Sequence, residues 1–247
     1  MGKVYLTGAG PGDKELLTLK ALRLIRSADV IIYDRLVDPE ILKEAKEGCE
    51  PIYVGKENRH HIMPQDRINQ LLYEKAMRHE SVVRLKGGDA VVFGRGGEEA
   101  LFLASHGIDF EFVPGVTSAI AVPEMAYIPI THRGKAVSFR VVTGYEAPDK
   151  GYAQLDWESF KVDETIIFLM GLHRLECICR SLMSVGKPAD YPIAVISRGT
   201  LPDEQVVTGT LADIAPKAKG LPTPAMIVVG EVVAIRESLL KQNMDRL

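Results

Sequence analysis

The sequence lacks the features that mark several large classes of protein. Its 247 residues hold three cysteines, an odd number that argues against a disulfide framework. No apolar run approaches the ~20 residues of a membrane-spanning helix, and MGKVYLTG leads directly into a predicted strand, which leaves no room for a signal peptide. The net charge of −3 and the pI near 6.1 give no general attraction to nucleic acid. We therefore expect a soluble cytoplasmic protein without nucleic-acid or membrane partners.

Metal-binding patterns are also scarce. Neither H-E-x-x-H nor C-x-x-C occurs, and of the six histidines only His60 and His61 are adjacent. Cys177 and Cys179 lie two residues apart in a predicted helix, so their side chains point in different directions. The sequence therefore predicts no metal site.

A glycine-rich turn, GAGPGD, occupies residues 8–13 between a short apolar strand and a predicted amphipathic helix, for which Asp13 is a candidate N-cap. This order is typical of a nucleotide-binding loop. The dinucleotide pattern G-x-G-x-x-G, however, requires glycine where Asp13 stands. A carboxylate repels a pyrophosphate, and Pro11 lacks an N–H that could bind one. The turn is therefore predicted to hold no phosphate.

Predicted strands and helices alternate through the first half of the chain. The strands fall at 28–34, 51–55, 81–89 (a strand with its glycine turn) and 110–115, and the helices at 39–47, 65–77 and 97–105. Such βαβ alternation predicts a mainly parallel sheet with helices on both faces.

The pattern changes after residue 133. Predicted strands now follow one another at 136–144, 165–171, 192–197, 206–211 and 225–233, with helices near 174–185, 211–219 and the C-terminus. Strands this close together can pair antiparallel, which predicts a mixed sheet. We expect two α/β domains, residues 1–133 and 134–247, with a cleft between them.

Glycine clusters end four of the predicted strands. Besides GAGPGD they are LKGGD with Asp89, PGVTSA with Thr117 and Ser118, and the pair Met170-Gly171. Ligands in open α/β sheets bind at the carboxyl ends of strands. A carboxylate there suits ribose hydroxyls or an ammonium group better than phosphate. The clusters together indicate one nucleoside-like ligand that carries no phosphate.

Six segments resemble the uroporphyrinogen-III C-methyltransferases, S-adenosylmethionine enzymes of the tetrapyrrole methyltransferase family on the route to sirohaem and cobalamin. They are GAGPGDKELLTLKA, YDRLV, VGK, RLKGGDAVVFGRGGEE, VPGVTSAIA and IPITHR. The similarity runs in register from Lys3 to about Val233. It implies a two-domain α/β fold with an inter-domain active site, a homodimer, and methylation of uroporphyrinogen III at C2 and C7 to give precorrin-2.

The resemblance also implies roles for single residues. Asp34 matches the family's proposed proton acceptor and Lys56 its proposed proton donor. The donor S-adenosylmethionine, and its product S-adenosylhomocysteine, would contact Pro11, Gly87, Gly88, Asp89, Val92, Thr117, Ser118, Met170 and Gly199.

The tetrapyrrole acceptor is rich in carboxylates, so an acidic protein must concentrate cations around it. Besides Lys56, candidate cations fall in suitable loops at Arg35, Arg95, His132, Arg133 and Arg198. Arginine suits this role because its guanidinium binds a carboxylate through two hydrogen bonds.

The sequence departs from the usual family pattern at several positions. Ala90 stands where proline is common, Leu169 replaces a tyrosine before Met170, and no histidine follows Thr143-Gly144. Glu124, Met125 and Tyr127 also differ from the common PAYAGIP stretch. These changes concern the acceptor rather than the donor.

Three alternatives remain open. A methyltransferase of the same family could act on a later corrinoid intermediate, although YDRLV and VGK speak against it. A non-catalytic nucleotide-binding module would not need Asp34 and Lys56 together, and a nicotinamide oxidoreductase is disfavoured by the residue at position 13.

Overall fold

The chain forms two compact units, Met1–Ser118 and Ala119–Leu247. The computed structural model describes residues 1–55, 63–144, 155–161 and 163–244. The division comes earlier than the expected boundary near residue 133. The reason is that Ala119, Val122 and Ile128 are buried in the core of the second unit, against the strand residues Ile167 and Ala194.

The first unit contains a five-stranded sheet in which every pair of neighbours is parallel, in the order β3-β2-β4-β1-β5. Its strands are β1 Lys3–Gly8, β2 Val30–Tyr33, β3 Glu50–Tyr53, β4 Ser81–Lys86 and β5 Asp109–Val113. The prediction of a parallel sheet is confirmed. Apolar runs such as Val30–Ile32 are fully buried because helices cover both faces of the sheet.

The helices of the first unit are α1 Leu19–Ser27, α2 Pro39–Leu42, α3 Gln65–Ala76 and α4 Gly96–Ser105. One core cluster lies under α1 and α2, and a second lies under α3 and α4, on the opposite face of the sheet. The sheet residues alternate between the two clusters, as the twofold period of a strand requires. The helix predicted at 39–47 is a single turn that ends at Leu42.

Asp13 caps a different element from the one expected. Its Oδ1 accepts the N–H of Glu15 at 2.9 Å and starts a single 3₁₀ turn, Lys14–Leu16. Leu17 and Thr18 are extended, and α1 then begins at Leu19 with the Thr18 hydroxyl accepting the N–H of Ala21 at 3.1 Å. Because the extended pair separates the 3₁₀ turn from α1, each of these two elements has its own N-cap.

The second unit contains a mixed five-stranded sheet, in the order β6-β7-β10-β8-β9. β6 and β7 are parallel and the other neighbours are antiparallel, which confirms the predicted mixed sheet. The strands are β6 Phe139–Thr143, β7 Thr165–Leu169, β8 Pro192–Ser197, β9 Gln205–Thr210 and β10 Ala225–Val229. The helices are α5 Ser118–Met125, α6 Leu175–Ser184, α7 Ile214–Lys217 and α8 Ile235–Met244.

In the described ranges no helix has the length and apolar character needed to cross a membrane. All three cysteines, Cys49, Cys177 and Cys179, lie in these ranges as free thiols.

Candidate active site

The carboxyl ends of the five parallel strands form one edge of the first sheet. In register, Gly8 pairs with Lys86, Tyr33 with Leu85 and Thr7 with Val113, so the turns after these strands begin at the same level. The helix that follows β1 covers one face of the sheet, and the helix that follows β4 covers the other. The adjacent strands β1 and β4 therefore form a topological switch point, the place where open α/β sheets bind ligands.

Glycines let the turns at this switch point touch backbone to backbone. Gly10 N donates to Gly88 O at 3.1 Å, and Gly88 N donates to Gly10 O at 2.6 Å. A Cβ atom on Gly8 would lie only 2.6 Å from both Gly115 Cα and Gly88 O. The turns after β1, β4 and β5 thus converge on positions where a larger residue does not fit.

Asp89 ties two of these turns together through its carboxylate. Oδ1 accepts the N–H groups of Val91 at 2.9 Å and Val92 at 3.2 Å, and Oδ2 accepts the N–H of Gly115 at 3.1 Å. We expected this side chain to bond the donor. The structure gives it an additional role, because three protein N–H groups already occupy most of its lone pairs.

The loop after Asp89 is tightly wound. Ala90, at the position where proline is common in the family, is buried, and its carbonyl accepts the N–H of Gly96 at 3.0 Å. Phe93 and Arg95 both have positive φ, 53° and 60°, an uncommon conformation for side chains of this size. The loop leaves the Val92 side chain 38% exposed beside the switch point.

Thr117 and Ser118, the last residues of the first unit, lie beside the same turns. Gly88 has a φ of 70°, and a Cβ atom there would lie 3.7 Å from Ser118 N and 4.0 Å from Thr117 Cα. Half-buried Pro11 follows Gly10 directly. The structure therefore gathers the seven donor residues expected in the first unit: Pro11, Gly87, Gly88, Asp89, Val92, Thr117 and Ser118. With Asp13 bonded to its own turn and no N–H on Pro11, this cradle fits a donor without phosphate better than a dinucleotide.

The turn after β2 carries the candidate proton acceptor. Asp34 Oδ1 accepts the N–H of Leu36 at 3.1 Å, and Oδ2 accepts Nη2 of Arg84 at 3.3 Å. The side chain is 28% exposed. A Cβ atom on Gly87 would lie 2.5 Å from Leu36 Cβ, so this turn abuts the donor cradle. Lys56, the candidate proton donor, lies outside the described residues, and Arg35 is exposed on the Asp34 turn.

A buried charge cluster, formed by Arg84, Lys86 and Glu99, lies behind Asp34. Oε1 of Glu99 accepts Nε of Arg84 and Nζ of Lys86, both at 3.1 Å. Burial, and then the positive charge of Arg84, lower the pKa of the Lys86 ammonium. These residues were not predicted from the sequence, although two charged residues, Arg84 and Lys86, in a buried parallel strand were a usable signal.

In the second unit, two of the expected donor residues lie in strained or crowded backbone. Met170, directly after β7, has a φ of 58° and is 54% exposed. A Cβ atom on Gly199 would lie 3.0 Å from Val122 Cβ. Their contact with a donor stays a prediction.

The remaining candidate cations differ in their partners. Arg95 forms a bidentate ion pair with Glu98, with hydrogen bonds of 2.9 and 2.7 Å. Arg198 forms an ion pair with Asp203 at 2.5 Å, and this pairing lowers the pKa of the Asp203 carboxyl. His132 and Arg133 are exposed in a turn closed by pairing of His132 with Ala136. Both paired arginines would have to exchange a protein carboxylate for one of the acceptor.

Known proteins share this architecture. Residues 3–215 match the family model described as Tetrapyrrole (Corrin/Porphyrin) Methylases. The uroporphyrinogen-III C-methyltransferase of Methanocaldococcus jannaschii is 51% identical over 96% of this chain and 99% of its own length. A uroporphyrin-III C-methyltransferase from Thermus thermophilus, solved with S-adenosylhomocysteine, gives a TM-score of 0.81 at 44% identity, covering 95% of this chain and 100% of that one. A cobalt-precorrin-4 methyltransferase gives a TM-score of 0.82 at 28% identity, covering 94% and 95%.

Proposed function

The chain belongs to the tetrapyrrole methylase family, and from this premise we propose that it methylates uroporphyrinogen III. The methyl groups come from S-adenosylmethionine and go to the pyrrole carbons C2 and C7, giving precorrin-2 for sirohaem or cobalamin. The observation that carries this proposal is the match to a C-methyltransferase of that name over nearly the full length of both chains.

The methyl donor supplies an electrophilic methyl group that an electron-rich pyrrole carbon can attack directly. Catalysis then depends mainly on alignment, and orientation alone can supply several kcal/mol of the barrier reduction. In the first unit, Gly87 and Gly88 would let the donor approach the backbone, and Thr117 and Ser118 would offer hydroxyl groups to it. Asp89 would keep the turns in place for this approach, as well as bonding the donor itself.

Asp34 serves the acceptor in this scheme. Methyl transfer leaves a cationic ring, and a nearby carboxylate stabilises that charge or takes the proton that the ring releases. Among the described residues each oxygen of Asp34 has one partner, which leaves a lone pair for this purpose, and the side chain is partly exposed. Lys56 would act as proton donor.

The carboxylates of the acceptor would meet Arg35, Arg95, His132, Arg133 and Arg198. We place the protein in the cytoplasm, in keeping with the free thiols of its three cysteines. The homodimer is proposed from the family resemblance alone.

The experiment that tests the proposal compares acceptors. The protein is incubated with S-adenosylmethionine and either uroporphyrinogen III or a tetrapyrrole already methylated at C2 and C7, and release of S-adenosylhomocysteine is followed. We expect rapid release only with uroporphyrinogen III. Faster release with the methylated tetrapyrrole would favour action on a later corrinoid intermediate, and no release with either would favour a binding module.

A further inference from the structure

Of the four charged groups Arg84, Lys86, Glu99 and Asp34, Asp34 is the one that reaches solvent. The side chains of Arg84, Lys86 and Glu99 are 3%, 6% and 0% exposed, whereas that of Asp34 is 28% exposed. The four groups carry two formal positive and two formal negative charges, so the set is neutral as a whole. Among these four groups, Asp34 is therefore the one that a ligand can contact directly.

Arg84 is fixed by three separate parts of the fold. Its Nε donates to Glu99 on α4, and its Nη1 donates to Ile32 O on β2 at 3.3 Å and to Leu85 O on its own strand at 3.1 Å. This leaves Nη2 to bond Asp34 at 3.3 Å. The planar guanidinium thus has one available orientation, and its free edge faces the Asp34 carboxylate.

Glu99 in turn is held from two sides. Besides Arg84 and Lys86, the amide of Gln65 on α3 donates to its Oε1 at 3.2 Å. Its Oε2 is buried and has no hydrogen-bond partner among the described residues. A carboxylate buried in this state is costly to keep.

Fold stability does not account for such a cluster. Replacing buried ion pairs by apolar residues of similar size is often neutral or stabilising, whereas the fixed geometry of such a pair can place a charged group precisely. Since Asp34, the partly exposed partner of Arg84, is the candidate proton acceptor, we propose that Arg84, anchored by Glu99, is a positioning residue that holds the Asp34 carboxylate in place for the tetrapyrrole. This inference rests on the proposed methyl transfer.

Arg84→Lys is the informative variant. Lysine keeps a positive charge beside Glu99 but lacks the fork that reaches Asp34 at the same time. We expect kcat to fall about ten- to a hundredfold, because small misplacements of a reacting group have effects of this size. The affinity for S-adenosylhomocysteine and the KM for the acceptor should change less than about threefold.

A double-mutant cycle separates positioning from a general structural effect. If Arg84 acts through Asp34, adding Arg84→Lys to an Asp34→Asn variant should lower kcat less than about twofold further. The inference would be overturned if kcat of the double variant fell by the product of the two separate effects. An unchanged kcat in Arg84→Lys alone would also overturn it. Should Arg84→Lys not fold, Glu99→Gln takes its place in the same cycle, because it removes the charge that anchors Arg84 and keeps an oxygen for the bonds.

A matched control lies at the opposite edge of the same sheet. Lys75 on α3 donates to both oxygens of Glu50, at 2.7 and 2.6 Å. Lys75→Met should lower the thermal midpoint and leave kcat unchanged; a comparable loss of kcat would show that any broken ion pair has this effect. An unchanged kcat in Asp34→Asn would end both the role of Asp34 and this inference. Failure of the wild type to methylate uroporphyrinogen III would instead refute the proposed function itself.

Discussion

Substituting Gly115 by alanine tests the convergence of the glycine turns most sharply. The new Cβ atom would lie 2.6 Å from Gly8 Cα and 2.8 Å from Gly8 C. Carbon atoms normally pack at about 3.5–4.0 Å, so the turns after β1 and β5 would have to separate by about 1 Å. Gly115 does not have a positive φ, so the effect is steric and does not arise from backbone strain. Overpacking of this kind costs about 1–3 kcal/mol.

If that cost falls on donor binding, the affinity for S-adenosylhomocysteine should drop about five- to 150-fold. Calorimetric titration measures this drop, and thermal unfolding of the same sample shows that the variant is folded. Gly97→Ala is the matched control, because no atom lies within 4 Å of its added Cβ and Gly97 lies in the first turn of α4. It should bind the donor as the wild type does. Wild-type affinity in Gly115→Ala would refute the reasoning.

Three further results are expected. Asp89→Ala should weaken S-adenosylhomocysteine binding by about ten- to a hundredfold in calorimetry, because it loses donor bonds and releases the N–H groups of Val91 and Gly115; unchanged affinity would contradict its placement at the donor. Burial, and then the charge of Asp163, raise the pKa of Tyr191 from 10.0 to about 12. The folded state therefore keeps a proton that the unfolded chain loses between these values, and stability falls as pH rises. In urea unfolding between pH 9 and 11, the free energy of unfolding of Tyr191→Phe should fall by about 1 kcal/mol less than that of the wild type, and equal falls would argue against the shift. Raising ionic strength to ~0.5 M should raise the KM for the acceptor more than the Kd for the donor; equal responses would mean that the candidate cations do not meet the acceptor.

Local patterns were enough to predict the two sheets. Uninterrupted apolar strands alternating with helices predicted the parallel sheet, and the closer spacing of strands after residue 133 predicted the mixed one. Glycine clusters at strand ends also predicted where the turns converge, because the carboxyl ends of parallel strands necessarily share an edge. Within the first unit, the structure brings the expected donor residues to that edge.

The remaining features depend on packing between distant segments. Glu99 meets Arg84 because α4 returns over the end of β4, and periodicity within either element carries no information on such a contact. The cap at Asp13 was assigned to the wrong helix because the sequence does not reveal that Leu17 is extended. The compact units divide after Ser118 rather than near residue 133, because Ile128 is buried by contacts with the second sheet.

The most direct test of the central claim counts the methyl groups that the protein transfers. Uroporphyrinogen III is incubated with S-adenosylmethionine whose methyl carbon is isotopically labelled, and the product is analysed by mass spectrometry and carbon NMR. The account predicts a product with two labelled methyl groups, at C2 and C7, and two molecules of S-adenosylhomocysteine for each product molecule. An unlabelled tetrapyrrole after prolonged incubation, or label on any other position, would contradict it.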